Sequence, residues 1–163
     1  MEIVMPAIRQ LPDVWFMVIG PKNPRVYNQA QSFGIADRLW QTDFVPDEEL
    51  SWYLACADVM CLPLTDRAAN RGRLPGKIMY YMSAGRPTVA SPVGDVAGLI
   101  EKYRVGLLAS DSQQFAEALR LLLDDAVLRE ELGRNARRAA ETELNWERRV
   151  DELEAFYQRI LEK

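Results

Sequence analysis

The sequence predicts an α/β fold: a doubly wound, Rossmann-like parallel sheet with helices on both faces and a helical C-terminal tail. Three observations predict it. Short continuous apolar runs closed by turn residues recur through residues 1–111, the pattern of strands covered on both faces. Short helical stretches lie between them, as crossover units between parallel strands require. From Ser112 the texture becomes charged amphipathic helix to the end of the chain.

The elements follow in order. Trp15–Ile19 is an apolar run stopped by Gly20 and Pro21, and it reads as the first strand. Leu39–Phe44 is a shorter candidate. Pro46–Ala55 reads as a helix: a proline and acids suit the positive end of a helix dipole, and Leu50, Tyr53 and Leu54 share one face. Asp58–Pro63 and Pro87–Ser91 repeat the strand pattern, with Gly106–Leu108 a shorter version. Lys77–Ala84 is a helix ended by Gly85 and Pro87. Ser112–Leu123, Ala126–Leu144 and Trp146–Leu161 form the helical tail. Without repeats, low-complexity segments or Gly/Ser linkers, residues 1–163 form one domain, an α/β core over 1–111 and C-terminal helices over 112–163.

Composition narrows the chemistry. The 163 residues carry 20 Lys and Arg against 24 Asp and Glu, for a net charge of −4, with two Cys and no His. A chain without histidine has no Ser-His-Asp or Cys-His machinery, no His-ligated zinc and no imidazole switch. Catalysis then falls to carboxylates, Lys, Tyr, backbone amides or the substrate's own groups. Cys56 and Cys61 sit in apolar sequence and are expected as buried free thiols in a reducing compartment. With no basic-then-apolar leader and no membrane-length apolar run, the expected location is cytoplasmic. The acidic balance argues against nucleic acid as a partner. Trp15, Trp40, Trp52 and Trp146, mostly flanked by apolar residues, are expected in the core.

Ligands of an open parallel sheet bind at the carboxyl ends of its strands. Two loops fall there. Gly20-Pro21-Lys22-Asn23-Pro24 is either a plain turn or a binding loop. Arg67 to Lys77 brings Arg67, Arg71, Arg73 and Lys77 together with Gly72, Leu74, Pro75 and Gly76 between a strand and a helix. That composition suits an anion site, the alternative being a solvated loop whose cations balance nearby acids. Neither GxGxxG nor GxxxxGK[ST] occurs, which removes the dinucleotide fingerprint and the P-loop. Of the carboxylates Asp43, Asp47, Glu48, Asp58, Asp66 and Asp95, Asp47 and Glu48 are explained by a helix first turn. No pair presents itself for a metal.

The span Leu74-Pro-Gly-Lys-Ile-Met-Tyr-Tyr-Met-Ser-Ala-Gly-Arg-Pro-Thr-Val-Ala-Ser-Pro-Val-Gly94 is similar to the signature of retaining, nucleotide-sugar-dependent glycosyltransferases of the two-domain GT-B architecture, the group 1 or family-four type. Leu11–Gly20, Phe44–Leu50, Tyr53–Pro63, Val105–Leu108 and Asn145-Trp-Glu resemble that family's flanking segments in the same order. The resemblance implies a carboxyl-terminal domain that binds a nucleotide-diphosphate sugar as donor substrate, with no separate cofactor. It implies an N-terminal acceptor domain as partner and, through the acceptor, a peripheral membrane context.

Residue by residue, it implies donor contacts at Gly20, Pro21, Val45, Arg71, Gly72, Arg73, Leu74, Pro75, Gly76, Lys77 and Tyr80, with no catalytic side chain assigned. The loop Phe44–Pro46 matches the place of the base, and the backbone of Leu74–Lys77, with Lys77 or Arg73, the diphosphate. In that family the ribose is held by the second of two glutamates separated by seven residues; the matching positions here are Gly72 and Tyr80, so both carboxylates are absent, and a phenol can bond a ribose hydroxyl but lacks the two acceptors of a carboxylate. The family domain also begins with a strand ahead of the helix matched by Met1–Gln10. Its loss implies unpaired edges on two neighbours, and a chain that either self-associates through the gap or tolerates a defective sheet. The leading expectation is therefore the donor half of a retaining glycosyltransferase, inactive alone. The alternatives are a degenerate, non-catalytic module acting through protein contacts, and a small-molecule receptor on the same fold.

Overall fold

The structure, a computed structural model, describes residues 1–162. The chain enters through α1 (Val4–Arg9), whose Val4, Met5, Ala7 and Ile8 are all buried, and passes to β1 (Phe16–Val18). α2 (Pro24–Ser32) starts on a proline, and the side chain of Asn23 caps it by accepting from the Arg25 N–H at 3.0 Å. A 3-10 turn over Ala36–Arg38 leads into β2 (Leu39–Gln41). α3 (Asp47–Ala55) follows Pro46, with Asp47, Glu48 and Glu49 in its first turn, where the helix dipole favours negative charge. Then come β3 (Met60–Leu62), α4 (Ala68–Arg71), α5 (Lys77–Ser83), β4 (Thr88–Ala90), α6 (Asp95–Tyr103) and β5 (Gly106–Leu108). α7 (Ser112–Asp124), α8 (Ala126–Thr142) and α9 (Trp146–Leu161) close the chain.

Each strand expected from an apolar run is present, cut to a three-residue ladder. The sequence reading missed α2, α4 and α6. α2 fully buries only Ala30, its stripe being short, with Val26 and Phe33 half-buried against the core; α4 is a single turn; α6 has Gly98 inside it.

The strands are all paired in parallel, but in two sheets. β1 pairs with β2, Phe16 opposite Leu39 and Val18 opposite Gln41. β4 lies between β3 and β5, with Cys61 opposite Val89 and Val89 opposite Leu107. Neighbours decide burial. β4, flanked on both sides, has all three residues buried, whereas Phe16, Met17 and Val18 of β1 are only half-buried. This corrects the expectation that the Trp15–Ile19 run is covered on both faces.

Two apolar clusters hold the layers together. One joins α1 to α7 through Met5, Ile8, Phe115, Leu119 and Leu122, and takes in Ile35 and Val89. The other packs Ile78 and Met82 of α5, Val96 and Ile100 of α6, and Ala136 of α8 around Val105. Burying one Phe115 side chain contributes roughly 2–3 kcal/mol. Gly133 lets α8 close on the turn after α5: a Cβ there would lie 2.4 Å from the Gly85 carbonyl oxygen.

Three arginines close three helix ends at one cleft. Arg86 donates to the Ala55 carbonyl at the end of α3 at 2.6 Å, and Arg137 to the Ser83 carbonyl that ends α5. Arg129 donates to the carbonyls of Leu122 and Leu123 in the last turn of α7 at 2.8 and 2.9 Å. Cations belong at these negative dipole ends, so the cluster is explained by capping.

Two expectations about burial are overturned. Trp15, Trp52 and Trp146 are 69%, 69% and 82% exposed, and Trp40 is 50% exposed. Apolar neighbours in sequence bury a residue only if an element covers its face. On β1 and β2, Phe16 and Leu39 take the core face and leave Trp40 to the other, where Tyr53 of α3 meets it at 5.9 Å between ring centroids. Cys56 is exposed at the end of α3, not buried. Cys61 is half-buried, and burial pushes its thiol up from 9.0 to about 12.

Candidate functional site

The loops after β1 and β2 form one group. Gly20, at φ 133°, bridges to Asp43, and its N–H reaches Thr42 Oγ1 at 3.4 Å. Asn23 N–H donates to Gln41 Oε1 at 3.0 Å. Pro21 is exposed beside this bridge. Asp43 turns the chain at φ 75° and accepts from the Phe44 N–H at 2.9 Å. That turn puts Phe44 outward, 77% exposed, ahead of half-buried Val45. An exposed ring on a strand-end loop is a stacking face; it lies in the Phe44–Pro46 loop expected to hold the base, where Val45 was the residue expected to make the contact.

The loops after β3 and β4 form the second group. Arg71 grips Asp66 with two bonds, Nε to Oδ1 at 2.5 Å and Nη2 to Oδ2 at 2.8 Å. The hydrogen bond and charge of the guanidinium hold the Asp66 carboxyl below the usual carboxylate range and raise Arg71 in turn. Arg71 is therefore neutralised within the loop. Arg73 instead donates through Nε and Nη2 to Asn70 Oδ1 at 3.1 and 2.8 Å, which orients its guanidinium without cancelling its charge. Among the described residues, Arg67, Arg73 and Lys77 form no ion pair. All three are exposed.

This second group is rigid at its base. Ser91 is buried, and its hydroxyl accepts from the Leu64 N–H at 3.0 Å, tying the loop after β4 to the loop after β3. Gly94 presses on the same segment: a Cβ there would lie 2.8 Å from the carbonyl oxygens of both Asn70 and Arg71. Pro75 is buried under Leu74 and Gly76, which are exposed, as is Gly72. Tyr80 is 58% exposed, one turn after Lys77 on the same side of α5.

The structure thus brings Arg71, Gly72, Arg73, Leu74, Pro75, Gly76, Lys77 and Tyr80 together on the three-stranded sheet, and Gly20, Pro21 and Val45 on the two-stranded one. Among the described residues, no group of three His, Cys, Asp or Glu could hold a metal ion. None of their helices is long and apolar enough to cross a membrane.

Fold and site define a doubly wound α/β domain carrying a cationic loop shelf at the carboxyl ends of its strands. The family model for glycosyl transferases group 1 matches residues 1–125, and the chain belongs to that family. It is 27% identical over 163 residues to alpha-D-kanosaminyltransferase of Streptomyces kanamyceticus, an alignment covering 98% of this chain and 41% of that protein. Among solved structures, sucrose-phosphate synthase from Thermosynechococcus elongatus superposes with a TM-score of 0.83 at 23% identity, over 96% of this chain and 41% of that one. Anabaena HepE in complex with UDP and glucose superposes with a TM-score of 0.76 at 19% identity, over 93% of this chain and 43% of that one. The chain spans 29–41% of the length of the first two curated relatives it matches.

Proposed function

We propose that this chain is the donor-binding part of a retaining glycosyltransferase and takes a nucleotide-diphosphate sugar across the loops after β1, β2, β3 and β4. The observation that carries the reading is the set of exposed cations without an ion pair, Arg67, Arg73 and Lys77, on loops braced by Ser91 and Gly94. A diphosphate is the part of the donor such a shelf suits, with loop N–H groups adding donors. Phe44 offers a face for the base. Tyr80 offers its hydroxyl to the ribose. That HepE has been solved with UDP and glucose supports a uridine nucleotide as the first probe.

In this reading the protein's work is electrostatic. As the bond from the sugar's anomeric carbon to the diphosphate oxygen breaks, charge builds on the leaving phosphate, and Lys77 and Arg73 stabilise it. The departing phosphate oxygen accepts the acceptor hydroxyl's proton on the same face, so retention needs no histidine. The acceptor site is supplied by another domain, and the setting is cytoplasmic. Calorimetric titration with UDP tests the assignment. Lys77→Ala is expected to weaken UDP about tenfold, near 1.4 kcal/mol; an unchanged affinity removes Lys77 from the site.

The second reading, a non-catalytic module acting through protein contacts, is favoured by Gly72 and Tyr80, which leave no carboxylate at the ribose position. A thermal-shift panel separates the two. Stabilisation by UDP, ADP or GDP supports the donor reading, and silence to all three supports the module.

A further inference from the structure

Two arginines of one loop use the same pair of nitrogens and meet acceptors of different charge. Arg71 donates through Nε and Nη2 to the Asp66 carboxylate, whereas Arg73 donates through Nε and Nη2 to one neutral oxygen, Asn70 Oδ1, at 3.1 and 2.8 Å. A guanidinium has five N–H groups, and the fork on Asn70 engages only Nε and one hydrogen of Nη2, leaving the outer hydrogens and the whole charge for another partner. Asn70 is itself fixed. Its Nδ2 donates to the Thr65 carbonyl at 2.8 Å, and its backbone N–H donates to the Arg67 carbonyl at 2.8 Å. Its own carbonyl oxygen lies against Gly94, 2.8 Å from where a Cβ would stand. These contacts set the amide one way round, because a flipped amide would turn its NH2 to the guanidinium and its oxygen to the Thr65 carbonyl. An aspartate would meet the same carbonyl and cancel the Arg73 charge besides. Asparagine alone among side chains of this length donates to the loop and accepts from Arg73 without neutralising it.

We propose that Asn70 is the positioning residue of the donor site: it holds the Arg73 guanidinium in one plane, with its charge intact, for the phosphates of a nucleoside diphosphate. The inference rests on the donor reading and adds to it a residue that acts through another. Arg73 is exposed, so without Asn70 its long side chain would sample many rotamers, and a phosphate would have to freeze them on binding. A guanidinium oriented in advance loses less. The loop therefore divides its cations between two tasks. Arg71 is spent on Asp66 to shape the turn, and Arg73 is aligned by Asn70 but left charged.

The test is calorimetric titration of UDP, at low and high salt, into the full chain, its Asn70→Ala, Asn70→Asp and Arg73→Ala variants, and the chain carrying both alanines, with denaturant unfolding of each to follow stability. Expected are losses of about threefold for Asn70→Ala and about tenfold for Asn70→Asp and for Arg73→Ala. Adding Asn70→Ala to Arg73→Ala is expected to cost nothing further, since the two residues act as one unit. Asn70→Asp is also expected to flatten the salt dependence of UDP binding as Arg73→Ala does, because a cancelled charge and an absent one are screened alike. A residue that merely braces the loop would give the same loss in both backgrounds and leave the salt dependence as it was. Where Asn70→Ala does not fold, the salt dependence of Asn70→Asp decides. Equal loss from Asn70→Ala with and without Arg73, or Asn70→Asp binding UDP as tightly as the unaltered chain, overturns this inference and leaves the donor reading standing. An unaltered chain that takes up no UDP overturns both.

Discussion

Gly94 stands at φ 60° and ψ −146°, a region open essentially to glycine, and leaves no room for a side chain against Asn70 and Arg71. Gly94→Ala is expected to destabilise the fold by about 2 kcal/mol and to weaken nucleotide binding, since relief of the clash must shift α4 and with it Arg73. Denaturant unfolding and UDP titration on the one variant check both. The two thiols make a second case at this scale. Cys56 is exposed, whereas burial pushes the Cys61 thiol up to about 12. Iodoacetamide near pH 8 is expected to modify Cys56 and spare Cys61, read by mass spectrometry. Because the folded chain keeps the Cys61 proton past the unfolded value of 9.0, the stability linked to it is complete below pH 9 and is lost as pH rises toward about 12. Tyr81, raised by burial from 10.0 to about 12, acts in the same direction.

What the sequence made legible here was composition. The loop from Arg67 to Lys77 stands out as cationic in an acidic chain, but nothing in the letters says that Arg71 is taken by Asp66 five positions back while Arg73 only leans on Asn70. Which charge remains free depends on the turn through α4. That is decided by backbone geometry.

At the scale of elements, periodicity carried well wherever one face is buried. α7 hides Phe115, Ala116, Ala118, Leu119 and Leu122 along one side, and its stripe is plain in the sequence. α2 fully hides one alanine and only half-buries Val26 and Phe33, so its stripe is weak among polar residues. The strands were legible as apolar runs because β-branched and aromatic residues closed by Gly or Pro have few other uses. Their pairing was not, since a ladder is a relation between distant segments. Asp125 links two helices at once: it ends α7, and its carboxylate accepts from the Leu128 N–H at 2.9 Å to cap α8. Asp125→Ala is expected to cost about 1 kcal/mol in thermal or denaturant unfolding.

At the scale of the whole molecule, α9 is unlike the other long helices. No residue of it is buried, and Val150, Leu153, Tyr157 and Ile160 recur at helical spacing with 47–55% exposure. Its sequence predicted an amphipathic helix correctly, yet an amphipathic pattern promises an apolar face without naming what covers it. A chain ending at Asn145 is expected to melt within about 2 °C of the full chain by calorimetry, because the deleted helix contributes no buried side chain. A larger drop means that α9 packs on the body.

The exposure of the indoles gives this protein built-in optical reporters. Trp15 precedes β1 and Trp52 sits on α3, both mostly in water, and Trp40 on β2 is half-exposed, so the native chain should fluoresce toward the long-wavelength, hydrated end of the tryptophan range. A ligand settling over the two-stranded sheet would shift that emission to the blue without any dye. Unfolding, by contrast, would move it little, and the spectrum of this chain would report occupancy better than stability.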